Sequence, residues 1–424
     1  MAGYFVVLGD IKDENQDIIK SARDILSELC QHGIYSTNLF VKEGARKWSK
    51  PKVATFADYF GMKKDDYIFF FSERKIYGVG KLVNIGEDCK YWSYKGANLP
   101  RTYTEEEIKD NRLSNYIKPE NRCLCFFEPV LFYPHAIDMD EALMAYPDSF
   151  KSLRVIQGRT FIKLDDEESM ALFSVLNRRN ASAREDDYDW NPPKFDKTMH
   201  DMAKIKLEAD PGVYRFSIES LLLNYQPWNG SGIQEEMAVE AAVVDYLTKN
   251  NDGSIFDELS YVTHQVSASP AKPVEYMEWM DVFGYSVSSY LIEQAVPIRF
   301  AVDKYYVIEI KRGYLSLPTS RSGKETKQIR KNKAVANQLM KYVDWVAKNY
   351  ASGNYPMVKG ILVANGFDEN FIEYCKKMCV RNYNNGYRDA MPAVWDSFEL
   401  ISYSFDGKHI SFKKSSPIVE YETS

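Results

Sequence analysis

Histidine is scarce in this chain, five in 424 residues, and His32, His135, His200, His264 and His409 are scattered without a His-x-x-x-His spacing. That scarcity disfavours histidine-built zinc hydrolases and HNH-type nucleases, whose chemistry needs clustered imidazoles. A phosphate-cradling Gly-x-x-x-x-Gly-Lys loop, a Gly-x-Ser-x-Gly elbow and a dinucleotide fingerprint are also missing. Nucleotide-driven, serine-hydrolase and nicotinamide chemistry therefore lack their parts. No apolar run approaches the roughly 18 residues that cross a bilayer. The start, Met1-Ala2-Gly3-Tyr4, lacks the basic stretch and apolar run of a secretory leader. The expected place is the cytoplasm, with no membrane partner. Six cysteines are present, but neither Cys123-x-Cys125 nor Cys375-x-x-x-Cys379 has the usual zinc-knuckle spacing, so buried, reduced thiols are expected rather than a zinc site. Positive charge is short as well. A net charge of −6 and a pI near 5.6 exclude a surface coated all over by nucleic acid, so a DNA enzyme of this composition must concentrate its cations locally.

What the chain has in quantity is apolar and aromatic surface: 45% hydrophobic residues and 14% aromatics, with 30 Tyr and 23 Phe, the composition of a folded globular protein. Its length is too great for one ordinary core, so two domains are expected. The stretch from Asn177 to Pro193 is charged, nearly free of aliphatic residues and ends in two prolines, which reads as an exposed linker. The boundaries that follow are a first domain over 1–180, a linker over 181–199 and a second domain over 200–424.

In the first domain residues 4–8 read as a buried strand, and 15–30 has helical spacing through Ile18, Ile19, Ala22, Ile25 and Leu26. A helix is expected around Thr55 to Phe60, with Thr55 as its N-cap. Asp65 to Val83 reads as two strands joined by a short polar turn. The run Ile76-Tyr77-Gly78-Val79-Gly80-Lys81-Leu82-Val83, with Gly158 to Leu164 and an acidic helix start at Asp165, resembles the PUA-like barrels that include EVE and YTH domains. That resemblance implies a β-barrel with helices and an aromatic cage around a modified base. The cage candidates are Trp48, Tyr91, Trp92 and Tyr94, flat rings that stack on a base at low entropic cost. Filling the core is their alternative use.

The second domain is organised around Tyr305-Tyr306-Val307-Ile308-Glu309-Ile310-Lys311, a short apolar strand whose far end carries an acid and a base one residue apart. Side chains alternate along a strand, so Glu309 and Lys311 project to the same side. Such a pair suits metal-assisted hydrolysis of a phosphodiester, in which a carboxylate holds a hard cation and an ammonium orients water or neutralises charge. Asp281 lies on an upstream strand candidate, and Glu236 and Glu240 stand one turn apart on a helix candidate. Gln338 and Tyr342 lie on a downstream amphipathic helix. The order helix-Glu, strand-Asp, strand-Glu-x-Lys, helix-Gln-x-x-x-Tyr over 230–365 resembles the PD-(D/E)XK nucleases, within them the RecB-like and NucS-like branch. The fold expected is thus α/β (α+β): a PUA-like β-barrel with helices, then a restriction-endonuclease-like mixed sheet flanked by helices.

The resemblance implies that Asp281, Glu309 and Glu240, or Glu236 in its place, hold Mg2+, with Mn2+ as a substitute. Lys311 would act on the attacking water, and Gln338 would support the centre. Asp303, at an apparent hairpin tip, is a reserve candidate, because the insertion through Tyr285 to Tyr290 separates Asp281 from Glu309. The basic run from Ser320 to Lys333, with Arg321, Lys324, Lys327, Arg330 and Lys331, is either a solvated loop or a phosphate contact. The expected function is an Mg-dependent endonuclease of restriction or defence type acting on double-stranded DNA as a homodimer. A non-catalytic nucleic-acid reader with a decayed nuclease core and a NucS-like repair nuclease are the alternatives.

Overall fold

A computed structural model describes residues 2–12, 17–147, 149–150, 161–181, 194–225, 232–249, 252–268, 278–318, 325–383 and 391–415. It is a mixed α+β structure in two compact units, Met1–Ser217 and Ile218–Ser424.

The first unit is built on a seven-stranded sheet. Its elements are β1 (Gly3–Val7), α1 (Ala22–His32), β2 (Ile34–Asn38), α2 (Lys50–Gly61), β3 (Tyr67–Ser72), β4 (Lys75–Leu82), β5 (Lys90–Trp92), the long β6 (Asn121–Asp138), β7 (Phe161–Leu164), α3 (Asp166–Arg179) and α4 (Thr198–Ala209). The strand order is β2-β6-β4-β3-β1-β7, with β5 on β6. β1 runs parallel to β3 and antiparallel to β7, and Tyr4, Phe5 and Val6 are buried on both of its faces, which is why it reads as an unbroken apolar run. The β3–β4 turn is made by Glu73 and Arg74, both at positive φ, the geometry that tight hairpins require. Gly80 is small because a Cβ there would lie 2.4 Å from the Phe127 ring across the β4–β6 pair. Two helix starts depart from the sequence expectation. α1 begins at Ala22, where the Ser21 side chain caps it. α2 begins at Lys50, so Thr55 lies inside the helix and its hydroxyl donates to the Pro51 carbonyl instead of capping. Asp165 does start α3, in a capping box with Glu168.

Where the sequence opens the second domain at 200, the structure keeps residues up to 217 with the first unit. Apolar burial is the reason. Phe216 packs among Phe56, Tyr59, Phe60 and Trp92, and the buried His200 ring on α4 bonds the Gly33 carbonyl at 2.9 Å.

The second unit is organised on a six-stranded sheet, α5 (Glu236–Lys249), β8 (Tyr261–Ser267), β9 (Trp279–Val287), β10 (Val302–Ile310), α6 (Lys327–Asn349), β11 (Val358–Ala364), β12 (Phe398–Phe405) and β13 (Ile410–Lys414), in spatial order β8-β9-β10-β11-β12-β13. β8, β9 and β10 are antiparallel, β10, β11 and β12 parallel, and β13 antiparallel to β12. α6 is the crossover that two parallel neighbours need, and it lays Val335, Leu339, Tyr342, Val343 and Val346 into the core. The insertion after β9 folds as two short helices, Ser289–Glu293 and Ile298–Ala301, and the β9–β10 pairing holds from Val282 to Ser286 with a register shift between Ser286 and Val287. All six cysteines are buried and free. Among the described residues no helix is long and apolar enough to cross a membrane.

Candidate functional site

The β9–β10 register decides the site. Val282 pairs with Ile308, so one further step along the antiparallel ladder sets Asp281 opposite Glu309. Directly opposed residues share a face, and the two carboxylates therefore stand side by side. The Asp281 carboxylate accepts the Ile310 N–H at 2.8 Å, which fixes its rotamer. Lys311 lies one residue past β10, but its N–H still bonds Val363 at 2.8 Å, so the alternation continues and its side chain turns to the same face. Its ammonium sits 2.8 Å from Glu309 Oε1, 3.1 Å from Glu236 Oε1 and 3.9 Å from Asp281 Oδ2. Three carboxylates from three elements thus surround one amine.

Charge is in excess on the acidic side. Glu309 is fully buried, and among the described residues neither of its oxygens accepts a hydrogen bond apart from the ion pair. Burial, opposed by the Lys311 ammonium and aided by Glu236 and Glu240, pushes its carboxyl up to about 7. Burial first, then the charges of Glu309 and Glu240, raises Asp281 well above the ordinary carboxylate range. For Lys311 burial favours the neutral amine, but the carboxylates of Glu309, Asp281 and Glu236 outweigh it and hold the ammonium charged.

Glu240, one turn beyond Glu236 on α5, is buried and turned to a different task. His264 Nδ1 contacts its Oε1 at 2.9 Å, and the Gln265 amide donates to both oxygens at 3.1 and 2.9 Å. With its oxygens engaged in this way, the carboxylate beside Lys311 from α5 is Glu236. His264 and Gln265 were not among the residues the sequence singled out, and nothing in their spacing marks them. Gln338 donates to the Tyr342 hydroxyl at 2.9 Å, and burial together with the charges of Glu309 and Asp281 pushes that hydroxyl up to about 12. Asp303 is exposed at the start of β10, six residues from Glu309, or roughly 20 Å along a strand. It takes no part.

Among the described residues no three His, Cys, Asp or Glu side chains form a ready-made metal cage. The donor set still fits a hard divalent cation: carboxylate oxygens only, excess negative charge, and a buried Glu309 group with no hydrogen bond beyond the Lys311 ion pair among the described residues. Glu309, Asp281 and Glu236 are the groups that would hold the ion once the Lys311 ammonium gives way.

Of the basic run, Arg321 and Lys324 lie outside the described residues. Lys327, Arg330 and Lys331 stand exposed on the first turns of α6 and not on a loop. If they meet phosphates, replacing all three by Gln lowers the slope of log affinity against log salt by up to about 3, roughly 0.9 for each contact. Filter binding across a salt series measures it, and an unchanged slope makes them bystanders.

The four rings expected to form a base cage are core residues in the first unit. Trp92 lies 4.3 Å from the Phe216 ring and 5.4 Å from Phe56, and Tyr91 donates to the Ile85 carbonyl. Trp48 donates to Asn98 O at 3.2 Å and Tyr94 to Pro119 O. Trp48 and Tyr94 do face a cation, but the protein's own: the Arg122 guanidinium, 2% exposed, lies 5.7 Å from Trp48, 5.5 Å from Tyr94 and 5.0 Å from Tyr103. A chain rich in aromatics buries most of them, which is why composition misled here. Away from these rings, the described residues form a cavity of about 950 Å³ at the end of β1 between α1, β2 and the segment 105–121. Tyr35, Ser36, His32, Tyr116, Arg112 and Lys118 are among its walls, and the His32 and Tyr116 rings stack 4.4 Å apart.

No family model matches the chain, and no curated protein matches it. Among solved structures the chain is similar to human THYN1 protein in complex with 5-methylcytosine-containing DNA, at 15% identity over 41% of this chain and 97% of that chain, with a TM-score of 0.24.

Proposed function

We propose that the second unit is a divalent-metal-dependent deoxyribonuclease and that the first selects where it acts. One observation carries the reading: Asp281 and Glu309 from paired strands and Glu236 from α5 converge on Lys311, with the Glu309 carboxylate buried and short of hydrogen bonds. A bound Mg2+ would polarise the phosphate and lower the pKa of a coordinated water. Glu309, Asp281 and Glu236 would hold that ion. Lys311, freed from part of its carboxylate cluster, hydrogen-bonds the attacking water or the phosphate oxygens as charge builds on them. Tyr342, held by Gln338, closes one side of the site against solvent. In the first unit the cavity beside His32 and Tyr116 takes a nucleobase, with Lys118 supplying charge for an adjoining phosphate while Arg112 is paired with Glu105 at 3.2 Å. Cutting both strands with one centre per chain favours a homodimer on DNA.

A second reading, a nucleic-acid reader without catalysis, is favoured by the Lys311 ammonium standing where a cation would go and by the lack of a preformed cage among the described residues. Methylated and unmethylated supercoiled plasmid incubated with Mg2+ separates the two. Nicking or linearisation is expected, and binding with no cleavage at any pH or metal leaves the reader. Cleavage should also fall as pH drops below about 7, where Glu309 takes up its proton, because protonated carboxyls bind metal poorly. A pH–rate profile flat from 5 to about 8 would exclude Glu309 as a ligand.

A further inference from the structure

We propose that Gln265 is a positioning residue: its amide, presented by a left-handed backbone, clamps Glu240 so that α5 brings Glu236 to Lys311. This deepens the reading of the site given above and rests on it for its metal-binding consequence. His264 pairs with Val282 and Val266 with Met280, so Gln265 stands opposite Asp281, in one cross-strand row with Asp281 and Glu309. In an unbroken strand His264 and Gln265 would point to opposite faces. Both nonetheless reach the single carboxylate of Glu240, His264 through Nδ1 and Gln265 through both hydrogens' worth of its amide, at 2.9 to 3.1 Å. The break in alternation has a visible cause. Gln265 has φ +52°, the left-handed region that a residue with a side chain enters only at a cost. Strain of this kind persists where the surroundings hold it, and here the holding group is a buried carboxylate on α5.

Glu240 is the lever. Glu236 lies one turn N-terminal to it on the same face of α5, so fixing Glu240 against β8 fixes the rotation and height at which Glu236 meets Lys311, 3.1 Å away. A simple helix-to-sheet staple would matter for stability alone; a positioning residue matters for the geometry at Lys311.

Gln265→Gly in the full chain separates the two, because glycine accepts the left-handed backbone without strain while the amide is lost. The expected result is a melting temperature within about 3 °C of the parent, Mn2+ affinity by calorimetry reduced about 10- to 100-fold, and a crystal structure in which Glu236 has left Lys311. Parent-like Mn2+ affinity in Q265G overturns the proposal, as does a large loss of stability with unaltered affinity of the folded protein. If the parent takes up no Mn2+, the metal reading itself fails, and the crystal structure decides the clamp alone: separation of Glu236 from Lys311 supports it, an unmoved pair sinks it. Should Q265G not fold, Gln265→Asn, which also tolerates the left-handed backbone but carries a shorter amide, is read by the same criteria.

Discussion

Replacing Glu309 by Gln is expected to abolish the proposed cleavage, by a factor of about 1,000 or more, and to raise stability at pH 8. The first effect follows from removing the charged group that stands beside both Asp281 and Lys311. DNA affinity without metal stays within about tenfold, since Glu309 is buried and the exposed cations of α6 are untouched. The second effect follows from linkage. An acid whose pKa is raised in the fold, here from 4.5 to about 7, binds its proton more tightly folded than unfolded, so the parent loses stability as pH rises across that window. Gln does not titrate and escapes the loss, while Lys311 keeps Glu236 and Asp281 as partners. The expected gain at pH 8 is about 1 kcal/mol, or roughly 2 to 4 °C in melting temperature, and it disappears at pH 5. Calorimetric melts at the two pH values measure it. A variant that melts lower at pH 8 would mean that the Glu309–Lys311 ion pair outweighs the cost of burying the charge.

Trp92→Ala is expected to unfold the first unit readily, whereas Tyr116→Ala should leave it standing but weaken the proposed hold on DNA. Trp92 is 2% exposed and packed between Phe216 and Phe56, so truncation leaves a cavity that costs about 3 to 5 kcal/mol and about 10 °C. Tyr116 is 57% exposed at the cavity wall, stacked on His32. Its loss costs little packing, and if a base stacks there affinity falls about tenfold or more. A folded Trp92→Ala protein that has lost DNA binding would return Trp92 to the role of a reader.

Local pattern carried the sequence analysis far where chemistry and periodicity coincide. The acid and base at 309 and 311 lie on one face because strands alternate. α5 and α6 follow from their apolar spacing, and α3 opens at Asp165, where the sequence marks an acidic helix start. Patterns that depend on distant partners were not legible. Glu236 and Glu240 are equivalent on a helical wheel, and only β8 distinguishes them, since it brings His264 and Gln265 to one and leaves Lys311 to the other. The start of α6 at Lys327 was hidden by a basic run that reads equally well as loop. Aromatic residues gave the weakest guide, because a ring that stacks on a ligand and a ring that fills a core look alike until neighbours are known.

Chain order and side-chain alternation by themselves determined that an acidic helix, an Asp-bearing strand and a Glu-x-Lys strand exist and which faces their side chains take. Register between strands, the handedness of one glutamine and the burial of each ring were decided only in three dimensions. They depend on hydrogen bonds and apolar contacts between residues tens to hundreds of positions apart, which no local preference encodes.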